Sequence, residues 1–191
     1  MTEYLISDTH FNHKKIIDFE EGRRCFTTVD DMNEEIINQW NSIVTNNDTV
    51  YHLGDISMNG KYNELAALFE CLKGKKIIIQ GNHDNTSDLK KLKRDGYIED
   101  YHEFGIRLKR QKQLLYLSHY PTSLGRRPNM WSVHGHIHSQ PSNEVNQINV
   151  GVDSPFMNNV MNIPFGQPIP LDKVVDYMVN NPIESYPRRE E

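Results

Sequence analysis

The chain has 191 residues, enough for one domain, and its 37% hydrophobic and 25% charged content is ordinary for a globular protein. Its net charge of -5 and pI near 6.0 argue against a dedicated nucleic-acid-binding surface, because such surfaces are basic. No apolar run approaches the roughly 18 residues of a membrane span, and the opening stretch MTEYLISDTH lacks the basic start of a signal peptide.

The two cysteines, Cys25 and Cys71, lie far apart and fit no paired metal spacing. A reduced protein with two free thiols is therefore favoured over a disulfide scaffold. We expect a cytoplasmic protein without membrane contact, and the sequence leaves the oligomeric state open.

Short apolar runs alternate with amphipathic stretches, which predicts a mixed α/β domain with helices packed on sheets. Predicted strands, in chain order, are Tyr4–Ile6, Val50–Leu53, Ile77–Ile79, Leu114–Leu117, Trp131–Val133 and Ile148–Val150. Helices are predicted over 29–44, 63–73 and 87–96. We expect one domain over residues 1–181 and a loosely held, proline-containing tail over 182–191.

The helix predicted over 29–44 has the clearest local signals. Met32, Ile36 and Trp40 recur at the spacing of one helix face. Thr28 and Asp31 resemble a capping box at its start, with Asp in place of the usual Glu.

Polar side chains able to bind metals or move protons follow five of the predicted strands, where each strand ends. These residues are Asp8 and His10, then Asp55, then Asn82 with His83 and Asp84, then His119, and finally His136 with His138. Because ligand sites in open α/β sheets form beyond the carboxyl ends of the strands, we expect these side chains to converge.

The candidate ligands comprise two carboxylates, four imidazoles and one amide oxygen, without a thiolate. This mixture suits Mn, Fe, Zn, Co or Ni better than Ca, and seven ligands suit two ions that share a carboxylate. Asp8 and His10 lie two residues apart, as do His136 and His138, so in extended segments each pair projects to one side.

The segments DTH (8–10), GD (54–55), GNHD (81–84), SH (118–119) and GHIH (135–138) resemble, in order, the five motifs of the calcineurin-like metallophosphoesterases. NVGVD (149–153) resembles the run that follows the last motif in small phage- and bacterial-type members. The resemblance implies a four-layer α/β/β/α sandwich.

The resemblance also implies a role for each matching residue. One metal is expected on Asp8, His10, Asp55 and His138, and a second on Asp55, Asn82, His119 and His136, with Asp55 bridging. His83 is then the general acid, and Asp84 orients its ring. The expected reaction is hydrolysis of a phosphodiester, of small-molecule or nucleotide type, by a metal-bridging hydroxide. Two divalent cations are expected, with Mn favoured and Fe, Ni, Co or Zn possible.

Basic residues outside the motifs could hold a substrate phosphate, because an arginine fork matches phosphate bidentately. The candidates are two pairs, Arg23-Arg24 and Arg126-Arg127, with a solvated loop charge as the alternative for each pair. His13 lies one turn past His10 and could also reach the site.

A diester is favoured over a monoester because Gly54-Asp55-Ile56-Ser57-Met58 lacks the arginine of the phosphoprotein-phosphatase motif GDxxDR. A phosphomonoesterase or a nuclease on the same dinuclear centre is the alternative within enzymes. A catalytically silent metal-binding scaffold for protein partners is the alternative outside them. The acidic composition disfavours a polymeric substrate, and the presence of His10 and His83 disfavours a silent scaffold.

Overall fold

The computed structural model describes residues 1–58 and 61–184. One sheet contains β1 (Glu3–Ile6), β2 (Thr49–His52), β3 (Lys75–Ile79), β4 (Asp100–His102) and β9 (Ile169–Pro170), in the order β4-β3-β2-β1-β9. The first four of these strands pair in parallel, whereas β9 adds to β1 antiparallel.

The second sheet contains β5 (Ile106–Arg110), β6 (Gln113–Leu117), β7 (Met130–His134) and β8 (Gln147–Asn149), in that order. β6, β7 and β8 are parallel, and β5 forms an antiparallel hairpin with β6. Gln111 and Lys112, which join the hairpin, both have positive φ, as the tight primed turns of hairpins require.

The helices are α1 (Ile16–Phe19), α2 (Val29–Ile43), α3 (Tyr62–Cys71), α4 (Thr86–Arg94) and α5 (Leu171–Asn180), with a 3-10 turn at Glu21–Arg23 and a π turn at Phe156–Val160. The predicted capping box opens α2: Asp31 N–H donates to Thr28 Oγ1 and Thr28 N–H donates to Asp31 Oδ2, both at 3.1 Å. None of the helices in the two described ranges is long and apolar enough to cross a membrane.

Two apolar clusters hold the layers together. In the first, α2, α3 and α4 cover one face of the first sheet, and Ile36 and Leu89 belong to the same cluster as Ile6. In the second, Leu5 and neighbouring residues of the first sheet meet Trp131 and its neighbours in the second sheet, and α5 joins them. Leu5 and Ile6 serve different clusters because successive strand residues point to opposite faces. Two sheets flanked by helices confirm the predicted fold class.

All six predicted strands are present, with ends shifted by up to two residues, and all three predicted helices form. β4, β5, β9, α5 and the short helices were not predicted. β5 alternates Ile106 and Leu108 with charged residues, and β4 has no apolar run. Ile183, at the start of the predicted tail, is buried in the second cluster, and residues 185–191 lie outside the described part of the chain.

Candidate metal centre

The candidate ligands come from two sheets rather than from one. β1, β2 and β3 of the first sheet lead into the segments with Asp8, Asp55 and Asn82, and β6 and β7 of the second sheet lead to His119 and His136. The sheets meet where Ser7 bridges Gly151 beyond the end of β8. Parallel strands within each sheet end at the same edge, so both sets of loops reach one place.

Two groups of possible ligand atoms at this edge consist of predicted ligands, and a third joins His138 to Glu20 and Asp153. Asp8, His10 and His138 offer atoms within 4.8 Å of one another, and Asp55, His119 and His136 do the same. Asp55 lies between the groups, because its Oδ2 is 3.5 Å from Nε2 of His10 and 3.5 Å from Nε2 of His119.

Asn82 belongs with the second group. Its Oδ1 lies 2.9 Å from Nε2 of His119, and Nδ1 of His136 lies 3.2 Å from the same nitrogen. The structure thus brings together all seven predicted metal ligands, from five separate loops.

The backbone at these ligands is not extended, contrary to the expectation drawn from the two-residue spacing. Asp8, His10, Asp55, His136 and His138 all have φ between 47° and 70°. A left-handed residue other than glycine costs about 1–2 kcal/mol, and such strain clusters at functional sites. The paired ligands therefore reach their positions through strained turns.

Two glycines allow this crowding. A Cβ at Gly81 would overlap the carboxylate of Asp55, and a Cβ at Gly135 would overlap the side chains of Ser7 and Asp8. The motif glycines are therefore needed for close approach of the loops to the two aspartates.

Hydrogen bonds on the outer side of the histidine rings orient them towards the centre. Nδ1 of His119 donates to the carbonyl of Leu53 at 2.8 Å, and Nδ1 of His138 donates to Asp153 Oδ2 at 3.0 Å. Each ring then keeps the lone pair of Nε2 for a metal ion.

The site fits two divalent cations. Both ring nitrogens of His10 are buried and have no hydrogen-bond partner among the described residues, although buried polar atoms are nearly always paired. Burial raises the pKa of Asp8 to about 7 and lowers the pKa of His10, so without a cation the site disfavours charge. Asp8, His10, Asp55 and His138 would hold one ion, and Asp55, Asn82, His119 and His136 the other.

His83 stands at the open side of this cluster. Its side chain is 40% exposed, and its Nε2 lies 4.0 Å from Asp55 Oδ2. Its backbone N–H donates to Asp55 Oδ1 at 2.9 Å. The ring can therefore meet a substrate while its backbone fixes the shared carboxylate.

Asp84 makes different contacts from those expected of it. Its carboxylate accepts the backbone N–H groups of Asp55, Ile56 and Gly81 at 2.8–3.0 Å. Burial raises the pKa of Asp84 to about 6. The observed partners of Asp84 are thus the backbone of the second and third motifs, which it holds together, and not the ring of His83.

Arg23, a candidate for binding the substrate phosphate, instead makes its hydrogen bonds to the protein itself and supports the metal centre. Arg23 is fully buried and donates to both oxygens of Asp153 at 2.8 and 2.7 Å. It also donates to the carbonyls of Asp8 and Thr9. One guanidinium therefore ties the first motif to the carboxylate that orients His138. The NVGVD segment was the sequence signal for Asp153, and the Arg23-Arg24 pair was the signal for Arg23.

Asp153→Ala is expected to weaken the binding of one of the two metal ions by about 10–100-fold, because an outer partner of a histidine ligand has effects of that size. A competition titration with a chelating dye measures both affinities. Asp153→Asn keeps an acceptor for His138 and should lose less. Circular dichroism checks the fold, since the change removes the carboxylate that pairs with Arg23. Wild-type affinity at both sites in a folded Asp153→Ala variant would contradict the assignment.

The other candidate arginines, Arg24, Arg126 and Arg127, are on the surface. Arg24 is exposed and donates to the carbonyl of Asp18. Arg126 and Arg127 are exposed, and Arg126 lines cavities beside Val145 that include none of the predicted ligands. Their role in substrate binding remains a prediction.

His13, by contrast, lies at the site. Its ring centroid is 5.2 Å from that of His10 and 6.5 Å from that of His83. Its position one turn after His10 was the signal, and the hydrogen bond from His13 N–H to the His10 carbonyl closes that turn.

Comparisons with known proteins agree with this geometry. The model of the calcineurin-like phosphoesterase family matches residues 1–186. An uncharacterized protein of Methanocaldococcus jannaschii is 31% identical over 174 residues, which cover 90% of this chain and 88% of that protein. The Gene 66 protein of Mycobacterium phage L5 is 34% identical over 83 residues, covering 42% of this chain and 39% of its own.

A solved structure also resembles the fold. The crystal structure of a protein of unknown function from Aquifex aeolicus superposes with a TM-score of 0.69 at 25% identity, covering 92% of this chain and 98% of its own. With the family match over nearly the whole chain and the ligand groups in place, the chain belongs to the calcineurin-like phosphoesterases, a family of metal-dependent phosphoester hydrolases.

Proposed function

We propose that this protein hydrolyses phosphodiesters of small-molecule or nucleotide type, with two divalent cations of which Mn is favoured. The observation that carries the proposal is the position of Asp55 between two ligand groups, with a half-exposed histidine beside it. A shared carboxylate between two ion sites is the arrangement that dinuclear phosphoester chemistry requires.

Two bound cations would lower the pKa of a water molecule and neutralise charge on the phosphoryl oxygens. The protein side chains supply the rest. His83, exposed next to Asp55, donates a proton to the departing oxygen, a role that typically contributes about 10²–10⁴-fold. Asp84 holds the backbone of Gly81 and Asp55 in register, so the ring and the shared carboxylate keep their spacing.

The preference for a diester rests on charge. A monoester carries one more negative charge than a diester, and arginines commonly bind such phosphates. Arg23 is the buried arginine next to the first motif, and it is committed to Asp153 and to backbone carbonyls. Gly54-Asp55 is followed by Ile56, Ser57 and Met58, which offer no cation.

The test is a paired assay on metal-stripped protein reloaded with Mn²⁺ or Ni²⁺. Bis(p-nitrophenyl) phosphate should turn over faster than p-nitrophenyl phosphate at equal concentration, and the stripped protein should be inactive. A faster monoester reaction would overturn the diester preference. No release of nitrophenol from either substrate with either metal would overturn the hydrolase itself.

We also propose a reducing, cytoplasmic setting. Cys25 and Cys71 are both exposed and free. Exposed thiols persist in reducing compartments and tend to be oxidised outside them.

A further inference from the structure

A cavity of about 340 Å³ opens beside the second ligand group. Asn82 and His119 form part of its wall, so a phosphoester held at the centre can extend directly into it. Its volume lies within the range of pockets that bind small molecules. The cavity also contains two aromatic side chains, Phe104 and Tyr120, which the proposed reaction does not use.

Phe104 is 90% exposed, which is unusual for a large apolar side chain. It lies in the three-residue connection that crosses from β4 in the first sheet to β5 in the second. Backbone contacts at both ends fix the position of this connection. At its start, Gln80 N–H donates to the carbonyl of His102 at 2.9 Å. At its other end Gly105, with φ of 147°, packs so closely on the carbonyl of Leu117 that a Cβ would overlap it.

The contacts of His102 and Gly105 explain why Phe104 lies beside the second ligand group. Gln80 begins the loop that carries Asn82, and Leu117 ends the strand that leads to His119. The connection is therefore attached to both ligand loops of the second group. An exposed aromatic ring is held beside the metal ligands by backbone geometry, and no apolar core requires it there.

Tyr120 stands on the same cavity and is 53% exposed. Its ring packs edge-on against two ligand histidines, with centroids 5.0 Å from His119 and 4.5 Å from His136. These contacts fix its plane beside the second ligand group. A planar group that stacks on Tyr120 would thus lie next to a phosphate at the centre.

We propose that this cavity binds the nucleobase of a nucleoside phosphodiester, and that Phe104 and Tyr120 form its stacking surfaces. The inference rests on the proposed function and names its substrate class. Aromatic rings stack on any base. Glu103, also in the cavity wall, can accept a hydrogen bond from the amino group of adenine, cytosine or guanine. Its negative charge disfavours a second phosphate in the cavity.

Two other cavities border the centre and have different walls. The cavity beside His83 is lined by aliphatic and acidic side chains such as Leu65 and Asp88. The cavity beside His136 and His138 is lined mainly by amides and prolines. Since a leaving group departs towards His83, the cavity with Phe104 suits the nucleoside that stays on the phosphate. The expected product is a nucleoside monophosphate.

The test compares two ligands that differ only by the base, AMP and ribose 5-phosphate, titrated calorimetrically into Mn²⁺-loaded protein. AMP should bind about 5–100-fold more tightly, as stacking of one base contributes. In Phe104→Ala the preference should fall several-fold, because only Tyr120 is left to stack on the base, and in Phe104→Trp, which keeps a planar ring, it should persist. Val179→Ala on α5 removes an exposed apolar side chain outside the cavity and serves as the matched control.

Equal binding of AMP and ribose 5-phosphate to the wild-type protein would overturn the inference, as would an undiminished preference in Phe104→Ala. Phosphate release is followed during the titration to confirm that both ligands stay intact, and metal content is measured for each variant. Because binding needs no turnover, a protein without hydrolase activity could still show the preference for AMP over ribose 5-phosphate. Equal binding of both ligands by an active diesterase would overturn this inference and leave the proposed function standing.

Discussion

His83→Ala is expected to lower the turnover of a phosphodiester by about 10²–10⁴-fold while both metal ions stay bound. The imidazole lies outside both ligand groups, with its Nε2 4.0 Å from Asp55 Oδ2, and its side chain is 40% exposed. Its contact with the shared carboxylate uses the backbone N–H, which alanine retains. The variant therefore removes a proton donor without removing a ligand.

The experiment combines a kinetic assay with metal analysis of the dialysed variant. The ester should carry a poor leaving group, because an activated leaving group departs without a proton and would hide the loss. His102→Ala, a partly exposed histidine near Asp100, is the matched control and should keep its turnover. Loss of one metal equivalent in His83→Ala would show that His83 is a ligand and not the acid.

Asp55→Asn is expected to impair metal binding at both positions. One oxygen, Oδ2, lies 3.5 Å from a histidine of each ligand group, so each ion would lose its anionic bridge. An amide at this position removes the charge that holds two cations close together, and the remaining ligands of the second group, Asn82, His119 and His136, are neutral.

Metal analysis after dialysis should find both equivalents reduced in Asp55→Asn, whereas Asp8→Asn should chiefly lose the ion of its own group. Asp100→Asn changes a carboxylate outside both ligand groups and should retain both. One ion bound at wild-type affinity in Asp55→Asn would rule out the bridging position. Turnover in both site variants should fall together with the metal content.

Much of this site could be predicted from short local patterns. Thr28 and Asp31 cap α2 as their spacing indicates, because a helix start is decided by neighbours within one turn. The apolar runs that became β1, β2, β3, β6 and β7 mark where ligands emerge, since a buried strand needs a continuous apolar stretch. Residues such as Asp55 and His119 could therefore be identified before their partners in space were known.

The residues that support the metal centre were harder to predict from the sequence. Arg23 and Asp153 are separated by 130 positions, and their pairing at 2.7 Å exists only once the 3-10 turn after α1 folds under the end of β8. The positive φ angles of Asp8 and His136 occur where loops from the two sheets meet, with His136 N–H donating to the Asp8 carboxylate. No local propensity favours that conformation for histidine strongly enough to reveal it in advance.

The order of the motifs and their residue types indicated the family and the fold class and predicted the donor set of the centre, because each motif is a run of neighbouring residues. The division of the ligands between two sheets, the work of Asp84 on the backbone and the placement of Phe104 beside His119 depend on contacts between distant segments. Such contacts form only when the two sheets pack face to face, and this packing brings the separate polar loops together into one candidate metal site.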